Sequence, residues 1–240
     1  MRKINVLSLF DGISCGMVAL ERTGIPVERY VAYEIEPNAI KISERNYPQI
    51  EHCGDVTIAD FTQYQGFDLL IGGSPCTHWS IANKNRETEA TGIGFGLFMN
   101  YVRALKEAKP KYFLYENNFS ITQVIKDEIT NQLGVEPIMI NSKNFSAQNR
   151  KRCYWTNIPV IEHEEKSHLL IKDILEADVD EKYYMKFPLI LKEGISKDML
   201  RVGDIPKENL KDNERQRRGY SADGKRPALC QKTQGLCPEE

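Results

Sequence analysis

The stretch NVLSLFDGISCG, at positions 5–16, contains the pattern that decides the fold. Asn5–Phe10 is a short apolar run, which predicts a buried strand. This run ends at Asp11 and Gly12, and Gly16–Arg22 follows with the spacing of a helix. A strand that turns through glycine directly into a helix is typical of a parallel α/β sheet.

The same alternation returns three times before residue 160. The predicted strands are Tyr30–Glu34, Phe67–Gly72 and Lys111–Glu116, and the predicted helices are Pro37–Asn46, Gly96–Ala108 and Ile121–Leu133. Because crossovers between parallel strands are right-handed, these units predict a mostly parallel, doubly wound α/β sheet. Ligands of such sheets bind outside the carboxyl ends of the strands, so the residues that follow each strand are the candidates for a site.

The composition limits the classes of protein. The 240 residues are 41% hydrophobic and 28% charged, which is typical of a globular chain with a sizeable core. No apolar run reaches the length of about 20 residues that a membrane span requires, and the first residues lack the apolar segment of a secretory signal. The net charge of −2 argues against nucleic-acid binding by bulk positive charge. Six dispersed cysteines without a CxxC pair indicate neither a zinc cluster nor a disulfide framework, which favours a reduced, cytoplasmic enzyme.

A change in composition predicts a boundary near residue 160. Glu162–Glu181 contains eight acidic residues and two lysines, whereas Lys211–Arg226 contains six basic and three acidic residues. We therefore expect a catalytic domain at 1–160 and a smaller appended region at 161–240.

Two acidic residues stand where a nucleoside ligand would need them. Glu34 ends the second predicted strand, 22 residues after Gly12, where a carboxylate can accept hydrogen bonds from both ribose hydroxyls. Asp55 follows the next crossover and could accept a hydrogen bond from an adenine amino group. The first loop lacks GxGxxG, so a pyrophosphate is not indicated. The combination favours S-adenosylmethionine, and an ordinary tight turn with surface acids is the alternative.

A cysteine and a carboxylic acid follow the next two predicted strands. Gly73-Ser74-Pro75-Cys76 comes after the third strand, and Glu116-Asn117 ends the fourth. Both segments should lie at the same edge of the sheet. A thiolate there can add to an electron-poor ring while the acid protonates a ring nitrogen. A purely structural cysteine is the alternative.

A basic cluster, Gln148-Asn149-Arg150-Lys151-Arg152, precedes the apolar run Cys153-Tyr154-Trp155. On an extended segment Arg150 and Arg152 point to one face, where their guanidinium groups could hold a carboxylate or a phosphate oxygen. A solvated run of charges is the alternative.

Together and in this order, these segments resemble the cytosine-C5 DNA methyltransferase family. The matching segments are Phe10–Gly16, Glu34-Ile35, Gly54-Asp55-Val56, Gly73–Cys76, Glu116-Asn117, Gln148–Arg152 and Gly219–Leu229. Thr77–Asn83, directly after the cysteine, is most similar to phage-type and animal de novo-type members. The likeness extends over nearly the whole chain.

The resemblance implies a Rossmann-like methyltransferase that uses S-adenosylmethionine, releases S-adenosylhomocysteine and needs no metal. It implies cofactor contacts for nine residues: Phe10, Gly12, Ser14, Glu34, Ile35, Asp55, Val56, Pro75 and Leu97. Ser80, Asn117 and Arg152 would contact the substrate. Ser80 and the segment Asn83–Arg86 would lie against the backbone of double-stranded DNA.

The resemblance also implies a reaction on a cytosine that is flipped out of the duplex. Cys76 would add to C6 while Glu116 hydrogen-bonds or protonates N3. Methylation at C5, loss of the C5 proton and elimination of Cys76 would follow. Arg152 would hold the cytosine O2 or orient Glu116, and Arg150 would share that role.

The chain departs from the family pattern in three places. Asn118 stands where the family usually has valine, and only about Met185–Lys211 is left for target recognition. After Gln231–Gly235 the family's last motif has no counterpart. We therefore expect a truncation, a second chain or a homo-oligomer that supplies the motif, or a degenerate member.

Two other functions stay open. A related branch methylates cytosine in transfer RNA, and a non-catalytic relative would act as a DNA-binding or partner-activating subunit. Cys76 and Glu116 argue against the latter, because a scaffold has no physical need for that pair. The expected location is the cytoplasm of a bacterial or phage-infected cell, in restriction-modification or in phage self-protection.

Overall fold

A seven-stranded sheet forms the centre of the N-terminal part of the chain. Its strands, in chain order, are β1 (Ile4–Leu9), β2 (Val27–Tyr33), β3 (Glu51–His52), β4 (Leu69–Gly72), β5 (Tyr112–Asn118), β6 (Ile138–Asn141) and β8 (Lys151–Thr156). The short β7 (Gln148–Asn149) lies outside this sheet. The spatial order is β3-β2-β1-β4-β5-β8-β6. The strands from β3 to β5 are all parallel to their neighbours, and β8 runs antiparallel to β5. The predicted α/β class with a mostly parallel sheet is confirmed.

Four α-helices connect the strands: α1 (Cys15–Arg22), α2 (Pro37–Asn46), α3 (Gly92–Ala108) and α4 (Gln123–Leu133). Single 3₁₀ turns lie at Val56–Ile58, Thr62–Tyr64, Cys76–His78, Ser142–Asn144 and Ile171–Asp173. Helix α2 has the predicted bounds because Pro37 suits its first turn and the carboxylate of Glu36 accepts the N–H of Asn38. Helix α3 begins four residues before the predicted Gly96.

The core lies on both faces of the sheet. Successive residues of a strand point to opposite faces. On β2, Val31 and Tyr33 join one buried cluster, and Tyr30 and Ala32 join the other. The larger cluster includes the fully buried rings of Tyr115 and Trp155. Helices therefore cover both faces of the sheet, so a ligand can approach at the ends of the strands.

The order of the strands reverses between β1 and β4, which are neighbours in the sheet. At such a switch point the connections leave the two strands toward opposite faces and open a crevice at their carboxyl ends. The loop after β1 and the loop after β4 flank that crevice. This topology places both predicted motifs at one site.

The structure is a computed structural model that describes residues 2–81, 83–161, 167–177, 179–180, 190–196, 199–204, 218–220 and 226–227. The chain divides into two units, one of Met1–Ile140 and Arg152–Ile161 and one of Asn141–Lys151 with the described residues beyond 161. None of the helices within these ranges is long and apolar enough to cross a membrane.

The second unit contains short strands. An antiparallel sheet has the order β11-β10-β9, from β9 (Ile190–Ser196), β10 (Met199–Asp204) and β11 (Arg218–Tyr220). β12 (Arg226–Pro227) pairs in parallel with β7. Four predicted segments lie outside the described residues except where the ranges above include them. These are the acidic segment Glu162–Glu181, the recognition segment Met185–Lys211, the basic segment Lys211–Arg226 and the end of the chain.

Candidate active site

The loop after β1 contains three residues in the left-handed region of backbone conformation. Phe10, Gly12 and Ser14 have φ values of 56°, 61° and 62°. Such values are uncommon for residues other than glycine, so the surrounding structure must hold the loop in this form.

The carboxylate of Asp11 holds this loop from within. It accepts hydrogen bonds from the hydroxyls of Ser8 at 2.5 Å, Tyr30 at 2.7 Å and Ser14. Burial, and next the charge of Asp11, raise the pKa of Tyr30, so its hydroxyl keeps the proton that it donates. Ser14, a predicted cofactor contact, is buried, and its hydroxyl also lies 2.6 Å from that of Ser43.

Glu34 joins the end of β2 to this loop. Its carboxylate accepts the backbone N–H groups of Gly12 at 2.8 Å, Ile35 at 2.8 Å and Glu36 at 2.9 Å. A carboxylate has about four acceptor positions, so a ribose hydroxyl could still bind to it. The carboxylate lies beside the first loop, as its spacing from Gly12 predicts.

The other predicted cofactor residues differ in exposure. The Ile35 side chain is 69% exposed, directly beside Glu34, and gives an apolar surface next to a hydrogen-bond acceptor. Asp55 is exposed and accepts the Thr57 N–H at 2.8 Å, whereas the side chain of Val56 is buried in the core. Leu97 is half-buried on α3. Two carboxylates and an exposed apolar side chain fit the hydroxyls, amino group and rings of a nucleoside.

The loop after β4 approaches β5 so closely that a glycine is required. A Cβ at Gly73 would lie 2.6 Å from the carbonyl oxygen of Glu116 and 3.1 Å from its Oε2. Pro75 follows with φ −51°, and the half-buried Cys76 begins the 3₁₀ turn Cys76–His78. The loop that carries Cys76 therefore lies directly on Glu116.

Three buried polar side chains fix this loop to β5. The Ser74 hydroxyl lies 2.6 Å from the hydroxyl of Tyr115. The amide of Asn117 donates to the Tyr115 hydroxyl at 3.1 Å and to the carbonyl of Ser74 at 3.2 Å. Asn117, predicted to contact the substrate, is 1% exposed. In this structure its side chain anchors the cysteine loop from below.

The pairing of β8 with β5 brings an arginine to Glu116. Arg152 lies opposite Asn118 in the ladder, and Glu116 lies opposite Tyr154 on the same face. The Arg152 Nε is 2.6 Å from the Oε1 of Glu116. Since Oε2 faces the Gly73 side, one carboxylate oxygen meets the arginine and the other meets the cysteine loop.

The structure also gives hydrogen bonds for two further predicted site residues, Ser80 and Arg150. The Ser80 N–H donates to the Cys76 carbonyl at 2.8 Å, so Ser80 closes the turn that Cys76 begins. Arg150 lies between β7 and β8, in the second unit, where its N–H donates to the Asn141 Oδ1 at 3.1 Å. The role predicted for Arg150 stays a prediction.

The structure adds a residue that the sequence analysis missed. The carboxylate of Glu87 accepts the Trp79 indole N–H at 3.1 Å and the Gly94 N–H at 3.2 Å, and lies 3.5 Å from the His78 ring. It thus links the segment after Cys76 to the N-terminus of α3. Glu87 lies four residues before the N-cap Thr91, which is outside the usual capping positions, so the sequence gives no signal for this contact.

No group of three or more histidine, cysteine or acidic side chains in the described part of the chain could hold a metal ion.

Comparison with known proteins identifies the family. The model of the C-5 cytosine-specific DNA methylase family matches residues 4–228. The chain is 32% identical over 233 residues to the orphan methyltransferase M.SPRI of Bacillus phage SPR, which covers 77% of this chain and 53% of the phage protein. It is 29% identical over 220 residues to the type II methyltransferase M.NgoBV of Neisseria gonorrhoeae, which covers 78% and 52%.

The chain therefore spans about half the length of these curated relatives. The family model extends over most of the sequence, and its description agrees with the resemblance of the motifs, which is thereby confirmed. This chain belongs to the C-5 cytosine-specific DNA methylase family.

Proposed function

We propose that this chain methylates C5 of cytosine in double-stranded DNA. The observation that carries the proposal is the seating of the Cys76 loop on Glu116, whose other carboxylate oxygen pairs with Arg152. A thiol in the loop after β4, an acid on β5 and a cation on β8 suit addition to a pyrimidine ring. A ring inside the stack is out of reach, so the base must be flipped out.

The proposed reaction proceeds through a covalent bond between Cys76 and the cytosine ring. The Cys76 thiolate forms a bond to C6, and Glu116 hydrogen-bonds or protonates N3, which leaves C5 nucleophilic. S-adenosylmethionine, when bound, would supply the methyl group for that carbon and would be left as S-adenosylhomocysteine. A base such as water then removes the C5 proton, and the electron pair of that C–H bond forms the C5–C6 double bond and expels the Cys76 thiolate from C6. Arg152 would orient the Glu116 carboxylate or hold the cytosine O2, a role that Arg150 would share.

The cofactor would be held at the loop after β1. Glu34 would accept a ribose hydroxyl at its remaining acceptor position. Asp55 would accept the adenine amino group, with Ile35 against the ring. The other predicted contacts would complete this side of the crevice: Phe10, Gly12, Pro75 and Leu97, with the buried Ser14 and Val56 behind them. The open lone pair of Glu34 and the exposed Ile35 support this assignment.

The region 161–240 would supply the target recognition, with Ser80 and the segment Asn83–Arg86 against the DNA backbone. The location in the cytoplasm remains a prediction.

The experiment is capture of the covalent intermediate on duplex DNA that contains 5-fluorocytosine. Fluorine at C5 cannot leave as a proton does, so the bond between sulfur and C6 persists and the complex survives denaturing electrophoresis. We expect a methyl-dependent adduct with the wild-type chain and none with Cys76→Ala. An adduct in that variant would refute the assigned nucleophile.

Two parallel measurements distinguish DNA methylation from the two alternative functions. Transfer of a labelled methyl group to transfer RNA but not to DNA would indicate an RNA substrate. Calorimetry without any binding of S-adenosylmethionine would indicate a non-catalytic relative.

A further inference from the structure

The segment that contains Asp55 leaves the sheet early and has little support from its own backbone. Strand β3 is only two residues long, and the Cys53 N–H makes the last bond to β2, at 2.8 Å from the Ala32 carbonyl. Within the following 3₁₀ turn, Val56–Ile58, the N–H of Ala59 lies 3.4 Å from the carbonyl of Val56. This distance is long for a hydrogen bond, so the turn must be held from elsewhere.

Arg103 of α3 holds both ends of this turn. Its Nη2 donates to the carbonyl of Val56 at 2.7 Å, and its Nη1 donates to the carbonyl of Ala59 at 2.6 Å. Hydrogen bonds from a charged donor are stronger than neutral ones. A planar guanidinium holds its N–H donors in a rigid fork, whereas the lysine ammonium is a single point on a flexible stem.

The guanidinium is itself fixed on several sides. It lies 4.5 Å from the centre of the Phe61 ring and 3.3 Å from acceptors of Asn100 and Glu107 on its own helix. Glu107 also accepts the Phe61 N–H at 3.2 Å. Two side chains one helical turn apart thus clamp the segment from Val56 to Phe61 onto α3.

The position of the Asp55 carboxylate follows from this clamp. Asp55 directly precedes Val56, and its Oδ1 caps the turn by accepting the Thr57 N–H at 2.8 Å. Its orientation is set by the turn, and the turn is set by Arg103.

We propose that Arg103 is a positioning residue that aims the Asp55 carboxylate at the 6-amino group of the cofactor's adenine. The inference rests on the proposed function, because it takes Asp55 as the acceptor for that group. A carboxylate held in place accepts an amino N–H and rejects a purine with a carbonyl oxygen at the same position, since two acceptors then face each other. Loss of the clamp should therefore reduce discrimination between the two purines.

The test is calorimetric binding of S-adenosylhomocysteine and of its deaminated analogue, S-inosylhomocysteine, to the full chain. We expect the wild type to prefer the adenine ligand by at least about tenfold, the scale of one hydrogen bond to a charged group. Asp55→Ala should bring the affinity ratio close to one. Arg103→Lys should lower the ratio by several-fold, and adding it to Asp55→Ala should change the ratio no further.

A matched control is Arg29→Lys. Arg29 also stacks on a ring, 5.5 Å from the centre of Phe67, and pairs with Glu51, but it contacts neither Val56 nor Ala59. The ratio should be unchanged in this variant. Arg103→Gln, which can still donate to one carbonyl, serves as a second variant if the lysine variant does not fold, and should lower the ratio in the same direction.

Different results would overturn the positioning role of Arg103 and the proposed function. A variant at Arg103 that weakens both ligands equally and keeps the ratio would overturn the positioning role, although the proposed function would stand. A wild-type chain that binds neither ligand would overturn the proposed function and this inference with it.

Discussion

Gly73 shows how a missing side chain determines where a reactive group lies. A Cβ at this position would meet backbone atoms of Glu116, which cannot move aside as the end of a flexible side chain can. Glycine at position 73 therefore allows the cysteine loop to lie this close to β5. This requirement does not depend on the backbone angles of Gly73.

We expect Gly73→Ala to reduce methyl transfer by about 100-fold, because the loop must shift relative to Glu116 and a displacement of about 1 Å can cost that much. Single-turnover rates with duplex DNA measure this effect. Gly96→Ala is the control, since a Cβ there has no neighbour within 4 Å and should preserve the rate. Equal rates in both variants would contradict the steric explanation.

The hydroxyl of Tyr115 connects Ser74 to Asn117 in the buried layer beneath Cys76. Tyr115→Phe should lower the free energy of unfolding by about 1–3 kcal/mol, because two buried polar groups lose a partner. The turnover number should fall while the KM for the cofactor stays near the wild-type value. Urea denaturation and steady-state kinetics measure the two effects. Tyr112→Phe, at an exposed ring on the same strand, should change neither.

The residues that end parallel strands could be predicted, because the topology brings those ends to one edge. The contacts of the Asn117 side chain with Ser74 and Tyr115 could not be predicted. The family resemblance implies a substrate contact for Asn117, and strand alternation places its side chain on the buried face, beside Tyr115. Which face a strand residue occupies depends on the packing partners, and these come from distant segments.

At the scale of elements, β8 is one of the strands of the seven-stranded sheet that the periodicity did not reveal, with β3 and β6. Its run Lys151–Thr156 follows a basic cluster and alternates buried and half-buried residues. An antiparallel neighbour in an otherwise parallel order has no signal in strand–helix alternation. The contact between Arg152 and Glu116 depends on this strand, so the sequence could place the arginine in the site only through the family resemblance.

The early start of α3 has a physical cause in Glu87. Thr91 at the N-cap makes no side-chain hydrogen bond, and the distant carboxylate accepts the Gly94 N–H instead. An acid at a helix N-terminus also interacts favourably with the helix dipole. The first turn of α3 therefore depends on the segment that follows Cys76.

Glu87→Ala should lower the free energy of unfolding by about 1–3 kcal/mol, since it removes the cap and leaves the buried Trp79 indole N–H without this acceptor. Amide exchange should accelerate at the start of α3 more than at α4. Glu89→Ala, at an exposed acid two residues later, should change stability by less than about 0.5 kcal/mol. Similar losses in both variants would show that the cap contributes nothing.

At the scale of the whole molecule, the core contains tyrosines whose hydroxyls are out of water. Burial raises the pKa of Tyr30, Tyr101 and Tyr115 above the ordinary value near 10. Above that pH the unfolded chain loses protons that the folded chain keeps. Ionisation of these groups therefore leaves stability unchanged below pH 10 and favours unfolding above it.

We expect the free energy of unfolding to fall above pH 10 by about 1.4 kcal/mol per pH unit for each such tyrosine. Urea denaturation between pH 8 and pH 11 measures the slope. Tyr101→Phe should make the slope shallower by one tyrosine's share, whatever its effect at neutral pH. A slope equal to that of the wild type would mean that Tyr101 ionises as readily in the folded protein as in the unfolded chain.

The pairing of β5 with β8 limits how this chain can change its length during evolution. Insertion or deletion of a single residue inside β8 would turn Arg152 to the opposite face of the sheet and separate it from Glu116. Residues gained or lost in the connections between these strands leave that register intact. Relatives of different lengths should therefore carry their extra residues in the connections and keep both strands free of gaps.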